Sequence, residues 1–237
     1  TTVEFGGLQI TFDSRLLSPR PWTQAQSRWA ASLLPNLPPG DVLELCSGAG
    51  QIGLLAWPLA QGLVCVDVNP AAAEYTARNA RAAGLRVDCR TGRPAHVLGA
   101  HERFALIIAD PPWVPHEQTK QFPQDPVRAI DGGPDGLTVT RECLTAILRH
   151  LVPGGVALLQ LAPGDEQADA VSGMVAGTRL TAGERRHFER GTLLRIDAQG
   201  DLTLESLPQV TDRLWVFSHP FAGWSAALDQ DRDAVVA

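Results

Sequence analysis

The sequence predicts an α/β protein built on a doubly wound, mostly parallel sheet. Three observations carry that prediction: five short strand-like runs recur from residue 41 onward, helical stretches separate them, and all but 86-RVDCR-90 are mostly apolar. A strand covered by helices on both faces meets water on neither, so it has no reason to alternate polar with apolar residues. With 237 residues the chain can bury one large core. We expect a hairpin or arm over 1–20, the α/β domain over 21–225 and a charged tail over 226–237.

The elements follow in order. Residues 1 to 12 alternate around Gly6-Gly7, as a small hairpin does, and Trp22, Trp29 and Leu33 mark an amphipathic helix ending before Pro35. The strands are 41-DVLELC-46, 62-GLVCVD-67, 86-RVDCR-90, 104-FALIIAD-110 and 155-GVALLQLA-162. Between the second and third, a helix opens at Asn69-Pro70, carries Ala73, Ala77 and Ala80 as a small packing stripe, and closes at Gly84. The segment from Asp110 to Gly136 holds six prolines and no helical period, and a loop of that length in a compact domain is expected to be a functional lid. Leu137, Leu144, Leu148 and Leu151 then repeat at helical spacing and stop at Pro153-Gly154-Gly155. Residues 178 to 217 read as further, mainly antiparallel strands joined at Gly191 and Gly200. The apolar stripes are core packing and nothing more.

Composition narrows the function. A net charge of −6 argues against a broad phosphate-gripping face, and the cluster of Arg185, Arg186 and Arg190 reads as a solvated face. No apolar run approaches the ~18 residues of a membrane span. The four cysteines, Cys46, Cys65, Cys89 and Cys143, form no C-x-x-C pair, which fits buried free thiols in a reducing cytoplasm. No charged-then-apolar leader opens the chain, and its first residue is a threonine, which we read as a trimmed or processed start. The six histidines show no paired ligand spacing, so no metal is expected.

The stretch 44-ELCSGAGQIGL-54 poses the central question. Its core, Gly48 to Gly53, spells G-x-G-x-x-G, and Asp67 ends the next strand where an acid can reach a ribose diol. Those features suit a dinucleotide. The carboxylate of Glu44, four residues before the first glycine, does not, because a helix N-terminus presented to a pyrophosphate has no use for an anion there. S-adenosylmethionine has no phosphate but does carry an ammonium, a carboxylate, a ribose diol and a sulfonium. Glu44, Gly48, Gly50 and Gln51 suit its methionine part, and Asp67, Val68 and Asn69 its ribose end. The stretch "VLELCSGAG" resembles motif I of class I S-adenosylmethionine-dependent methyltransferases, with Cys46 where the first glycine usually stands. A cysteine there is tolerable if position 46 keeps a negative φ.

At the end of the fourth strand stands 110-DPPW-113, which resembles the [D/N]-P-P-[Y/F/W] motif of the amino-methylating members of that family. An amide or aryl-amine nitrogen is a poor nucleophile because its lone pair is delocalised. Two acceptors, the Asp110 carboxylate and the Pro111 carbonyl, can take hydrogen bonds from the NH2 and turn electron density toward the methyl carbon. Pro111 and Pro112 fix the backbone that aims them, and Trp113 offers a stacking face. "PRPWT" at 19–23, "DGGPDGL" at 131–137 and "LVPGG" at 151–155 resemble the flanking segments of HemK-like protein-glutamine methyltransferases, so the likeness spans 14–162. It implies a Rossmann-like fold, S-adenosylmethionine as cofactor, and substrate-side roles for Arg20, Thr23 and Asp131. Asp110 and Trp113 depart from the asparagine and tyrosine of that group: an asparagine both donates and accepts, an ionised aspartate only accepts.

The leading expectation is N-methylation of a protein or peptide side-chain amide. Methylation of an exocyclic amine of adenine or guanine in RNA or DNA stands second, since a flipped base would stack on Trp113. A dinucleotide-binding oxidoreductase and a non-catalytic cofactor-binding module remain as readings of other classes.

Overall fold

The computed structural model describes residues 1–56 and 62–200. The end of the predicted domain, the strand material beyond Gly200 and the charged tail over 226–237 lie outside those residues. A two-stranded hairpin, β1 (Thr2–Phe5) and β2 (Leu8–Thr11), precedes a seven-stranded sheet. The sheet strands are β3 (Asp41–Leu45), β4 (Leu63–Asp67), β5 (Asp88–Thr91), β6 (Phe104–Ala109), β7 (Leu151–Leu161), β8 (Leu180–Phe188) and β9 (Gly191–Ala198). Their order is β5-β4-β3-β6-β7-β9-β8. The first five run parallel, and β9 pairs antiparallel with both β7 and β8. The sheet is therefore doubly wound, with an antiparallel addition at the C-terminal side.

The long helices are α1 (Gln24–Leu33), α3 (Pro70–Ala82), α6 (Thr138–His150) and α7 (Glu166–Val175), with shorter α2 (Gln51–Ala56), α4 (Pro94–Val97) and α5 (Val127–Ile130). No helix among the described residues is long and apolar enough to cross a membrane. Every residue of β6 is buried, as its unbroken apolar sequence requires. Strand order reverses between β3 and β6. The connections leaving their carboxyl ends part there, and the crevice that results is where open α/β sheets hold ligands.

Several local expectations shift. The hairpin is not a free arm: Phe5 and Ile10 are each 1% exposed and belong to the main apolar core. Asn79 of α3 ties it down, accepting from the Thr11 N–H and donating to the Thr11 carbonyl, each at 2.9 Å. That tie rotates α3 from the expected stripe. Its buried face is Ala71, Ala72, Tyr75, Thr76, Asn79 and Ala80, while Ala73 and Ala77 are half-buried. The helix ends are as expected, with the Asn69 side chain accepting from the Ala71 N–H and Gly84 at φ 73°. Pro153-Gly154-Gly155 does not separate α6 from the next strand, because β7 already begins at Leu151 and carries those residues as a bulge opposite β6. Trp22 leaves the α1 stripe altogether: it sits in a 3₁₀ turn, Pro21–Thr23, and is 38% exposed.

The proline-rich segment after Asp110 is more ordered than a bare loop. It holds a 3₁₀ stretch, His116–Gln121, and α5, and a bridge from Val114 to Asp131 closes its base.

Candidate active site

The glycine-rich loop follows β3 directly. Gly48 and Gly50 hold φ of 54° and 79°, a region open to glycine at little cost, and a Cβ on Gly50 would lie 2.7 Å from Thr76 Cγ2. Cys46 departs from expectation. Its φ is +58°, not negative, and it is the one non-glycine residue with positive φ among the described residues. The loop turns left-handed at the position where the family places glycine, and this chain meets that requirement with a cysteine. Its sulfur lies 4.0 Å from that of Cys143 on α6.

Three carboxylates converge on the loop. Glu44 is 2% exposed under α2, where the Gly53 N–H and the Cys65 thiol donate to it, the latter at 3.4 Å. Burial first, then the charges of Asp110 and Asp67, push its pKa up to about 8. Its carboxylate is thus turned into the protein beneath the loop. Asp67 sits at the end of β4, with Oδ2 accepting from the Gly48 N–H at 2.9 Å and Oδ1 from the Asn69 N–H at 2.8 Å. It therefore organises the loop from the neighbouring strand, while burial raises its pKa. Val68, beside it, is 42% exposed, an apolar surface next to the acid. The buried Gln51 Oε1 has no hydrogen-bond partner among the described residues.

Asp110 stands at the end of β6. Burial pushes its pKa up to about 7, and no side-chain hydrogen bond or ion pair among the described residues engages its carboxylate. With Pro111, Pro112 and Trp113 it lines a cavity of about 660 Å³. The proline-rich segment forms another wall through Phe122 and Ile130. Gln167 of α7 holds the turn after Asp110 in place, its Nε2 donating to the Trp113 carbonyl and its Oε1 accepting from the Ala162 N–H, both at 3.0 Å.

Of the three residues assigned to the substrate side, two reach this cavity. Arg20 lines it, with Nη2 bonded to both Asp125 oxygens at 2.5 and 2.6 Å. Thr23 lines it too, though its hydroxyl donates to the Arg20 carbonyl at 2.8 Å and fixes the turn. Asp131 is not among the lining residues. It accepts from the Gly133 N–H at 2.8 Å and lies 2.6 Å from His116 Nδ1, a clasp at the base of the proline-rich segment.

Among the cavity residues that sequence reasoning did not name as site residues are Trp22, Phe122, Gln160 and Arg190. Spacing alone puts Trp22 in the helical stripe with Trp29 and Leu33, and its place before the helix, after a proline, is the signal that sets it apart. Arg190 arrives from the turn between β8 and β9 and carried no local sign. Arg185 and Arg186 do form a solvated face, pairing with Asp165, Asp169 and Glu184 at 2.8 Å. Behind the site lies Gln26 of α1, fully buried, donating to the carbonyls of Ala109 and Leu158, both at 3.0 Å.

Residues 25–130 match the methyltransferase small domain family. The chain is 33% identical over 182 residues to a release factor glutamine methyltransferase of Deinococcus radiodurans, covering 74% of this chain and 64% of that protein. It is 37% identical over 137 residues to a ribosomal protein uL3 glutamine methyltransferase of Bradyrhizobium diazoefficiens, covering 54% and 42%. The chain thus spans less than two thirds of the length of these relatives. Among solved structures, a methyltransferase from Pyrococcus furiosus superposes with a TM-score of 0.61 at 18% identity, covering 82% of this chain and 90% of that one. A ribosomal protein L11 methylase from Lactobacillus delbrueckii gives 0.57 at 15% identity, covering 81% and 86%, a likeness of fold. The two motifs, the sheet order and these relatives agree: the chain has the fold of the class I methyltransferases, carries a methyltransferase small domain over 25–130, and is similar in sequence to protein-glutamine methyltransferases.

Proposed function

We propose that this protein is an S-adenosylmethionine-dependent N-methyltransferase acting on a side-chain amide of a protein or peptide. The observation that carries the proposal is Asp110: a recessed carboxylate, in the company of the Pro111 carbonyl, without a side-chain partner of its own, at the floor of a cavity. Such a pair of acceptors suits an NH2 group, which has two N–H bonds to give.

The donor set fits the cofactor its family uses. Glu44, Asp67 and Asp110 crowd together, and each charge raises the cost of ionising Glu44. A cationic ligand relieves that repulsion, whereas the pyrophosphate of a dinucleotide would add to it. The unpartnered Gln51 Oε1 is a further acceptor beside the loop, suited to an ammonium donor. When bound, S-adenosylmethionine supplies a methyl group activated by the adjacent sulfonium. The protein's part is to hold and orient. Asp67 presents a carboxylate to the ribose hydroxyls, Val68 an apolar flank for the adenine, and the open backbone at Gly48 and Gly50 room for the methionine part.

On the acceptor side, Asp110 Oδ and the Pro111 carbonyl take the two N–H bonds of the target. The nitrogen lone pair then faces the methyl carbon, and the proton lost on methylation has a carboxylate beside it. Trp113 packs against the planar amide. A relative named for glutamine methylation of a release factor and one named for that of ribosomal protein uL3 support a glutamine as the target.

Two measurements test this. Calorimetric titration should give micromolar-range binding of S-adenosylmethionine and none of NAD. Incubation with methyl-labelled S-adenosylmethionine and separated protein and RNA fractions should place label in protein. Label confined to RNA would replace the amide with an exocyclic base amine, and binding of NAD alone would end the methyltransferase reading.

A further inference from the structure

The cavity continues beyond Asp110 to a rim that catalysis does not use. Trp22 and Phe122 stand there, each 38% exposed, two of the few large apolar side chains on the described surface. Two guanidinium groups lie against Trp22, with Arg20 Cζ 5.6 Å and Arg190 Cζ 5.8 Å from the ring centroid. Trp29 makes an instructive contrast: it also lies against an arginine, Arg186, but it is 2% exposed and serves the core. An indole left open to solvent beside two cations at the mouth of a cavity is costly to maintain for packing alone.

The donors at this rim are not used up. Among the described residues Arg20 commits only Nη2, to Asp125, and Arg190 meets Glu189 at 3.6 Å, both side chains of that second pair being mostly exposed. Each arginine has a carboxylate beside it, so the rim is nearly neutral. A run of phosphates would meet as many anions as cations, and the chain as a whole carries −6. Neutral acceptors, such as main-chain carbonyls, meet free N–H donors without that penalty.

We propose that Trp22 and Arg190 form a docking subsite for the peptide segment flanking the methylated side chain, the indole covering its apolar surface and the guanidinium donating to its main-chain carbonyls. The proposal rests on the amide reading of the acceptor, and it makes these two residues determinants of peptide affinity rather than of chemistry. Arg190 belongs to the antiparallel addition and Trp22 to the turn before α1, so the fold, not either segment, creates the subsite.

The test compares a glutamine-containing peptide of about a dozen residues with the same peptide cut to the glutamine and one neighbour on each side, in labelled-methyl assays. Trp22→Ala and Arg190→Ala should raise KM for the long peptide about tenfold, the scale of a rim anchor, with kcat within about threefold of the parent. Trp22→Phe should recover part of the loss. KM for the short peptide and the dissociation constant of S-adenosylmethionine should not move, which separates docking from misfolding. Unchanged KM for the long peptide, or equal losses on both peptides, would overturn the subsite and leave the amide reading intact. Failure of every peptide to accept label would overturn both.

Discussion

The proposed function concentrates the chemistry in one side chain, Asp110. Its removal should cost turnover far more than binding: Asp110→Ala is expected to lower kcat by about two orders of magnitude or more, with cofactor affinity little changed, as for other positioned groups that act in a transition state. Asp110→Asn keeps the shape and adds a donor. Activity retained on a glutamine peptide would support the amide target, and full activity of both variants would make Asp110 structural. Cys46 is the other residue that stands out. A left-handed φ on a residue with a Cβ costs on the order of 1–2 kcal/mol, so Cys46→Gly should leave thermal stability equal or higher, despite losing the Cys143 contact. Cys46→Val, branched at Cβ, should lower it. A fall in melting temperature for the glycine variant would mean that the sulfur contact outweighs the strain.

Between residue and fold lie the strand ends. Where β6 and β7 part, the carbonyls of Ala109 and Leu158 are bonded by a helix side chain, Gln26. Gln26→Met keeps the length and removes both donors. Losing two buried hydrogen bonds costs about 0.5–1.5 kcal/mol each, so the variant should be measurably less stable in urea. Because Ala109 immediately precedes Asp110, kcat should fall while cofactor affinity holds. An unchanged kcat in a destabilised variant would assign Gln26 to stability alone. The loop after β3 depends on its neighbour in the same way. Asp67→Ala takes the acceptor from the Gly48 N–H and, in the proposed function, from the ribose, and should weaken cofactor binding by about 1.5–3 kcal/mol in calorimetry.

At the scale of the whole molecule, the clustered acids make stability depend on pH. Glu44 and Asp110 have pKa values raised in the folded state, to about 8 and about 7, by burial. Between the ordinary carboxylate range and those values the folded chain binds more protons than the unfolded one. The contribution of these groups is therefore fully present at low pH and is lost as pH rises through 7 and 8. The ligand-free protein should accordingly lose melting temperature from pH 5 to pH 8.5, and Glu44→Gln should flatten that slope. Saturating S-adenosylmethionine, a cation among these carboxylates, should raise the melting temperature most at the alkaline end. A slope identical in Glu44→Gln would place the titration elsewhere.

The parallel core and both motifs were legible from residues alone because each is local. An unbroken apolar run such as 104-FALIIA-109 has few folds open to it, and "DPPW" sets its own backbone through two prolines. The Asn69 cap and the carboxylates at positions 44, 67 and 110 are written in the same local terms, whereas the starts of β5 and β7 are not. What the sequence left open depends on residues far apart in the chain. The buried face of α3 was decided by Asn79 reaching the hairpin, and the conformation of Cys46 by a loop that must bring its backbone to Asp67 on the neighbouring strand. Trp22 and Arg190 meet across 168 positions because β9 returns antiparallel beside β7 and sets the β8–β9 turn at the cavity mouth. Periodicity records which way a side chain faces along its own element, and only the packing of elements determines what it faces there.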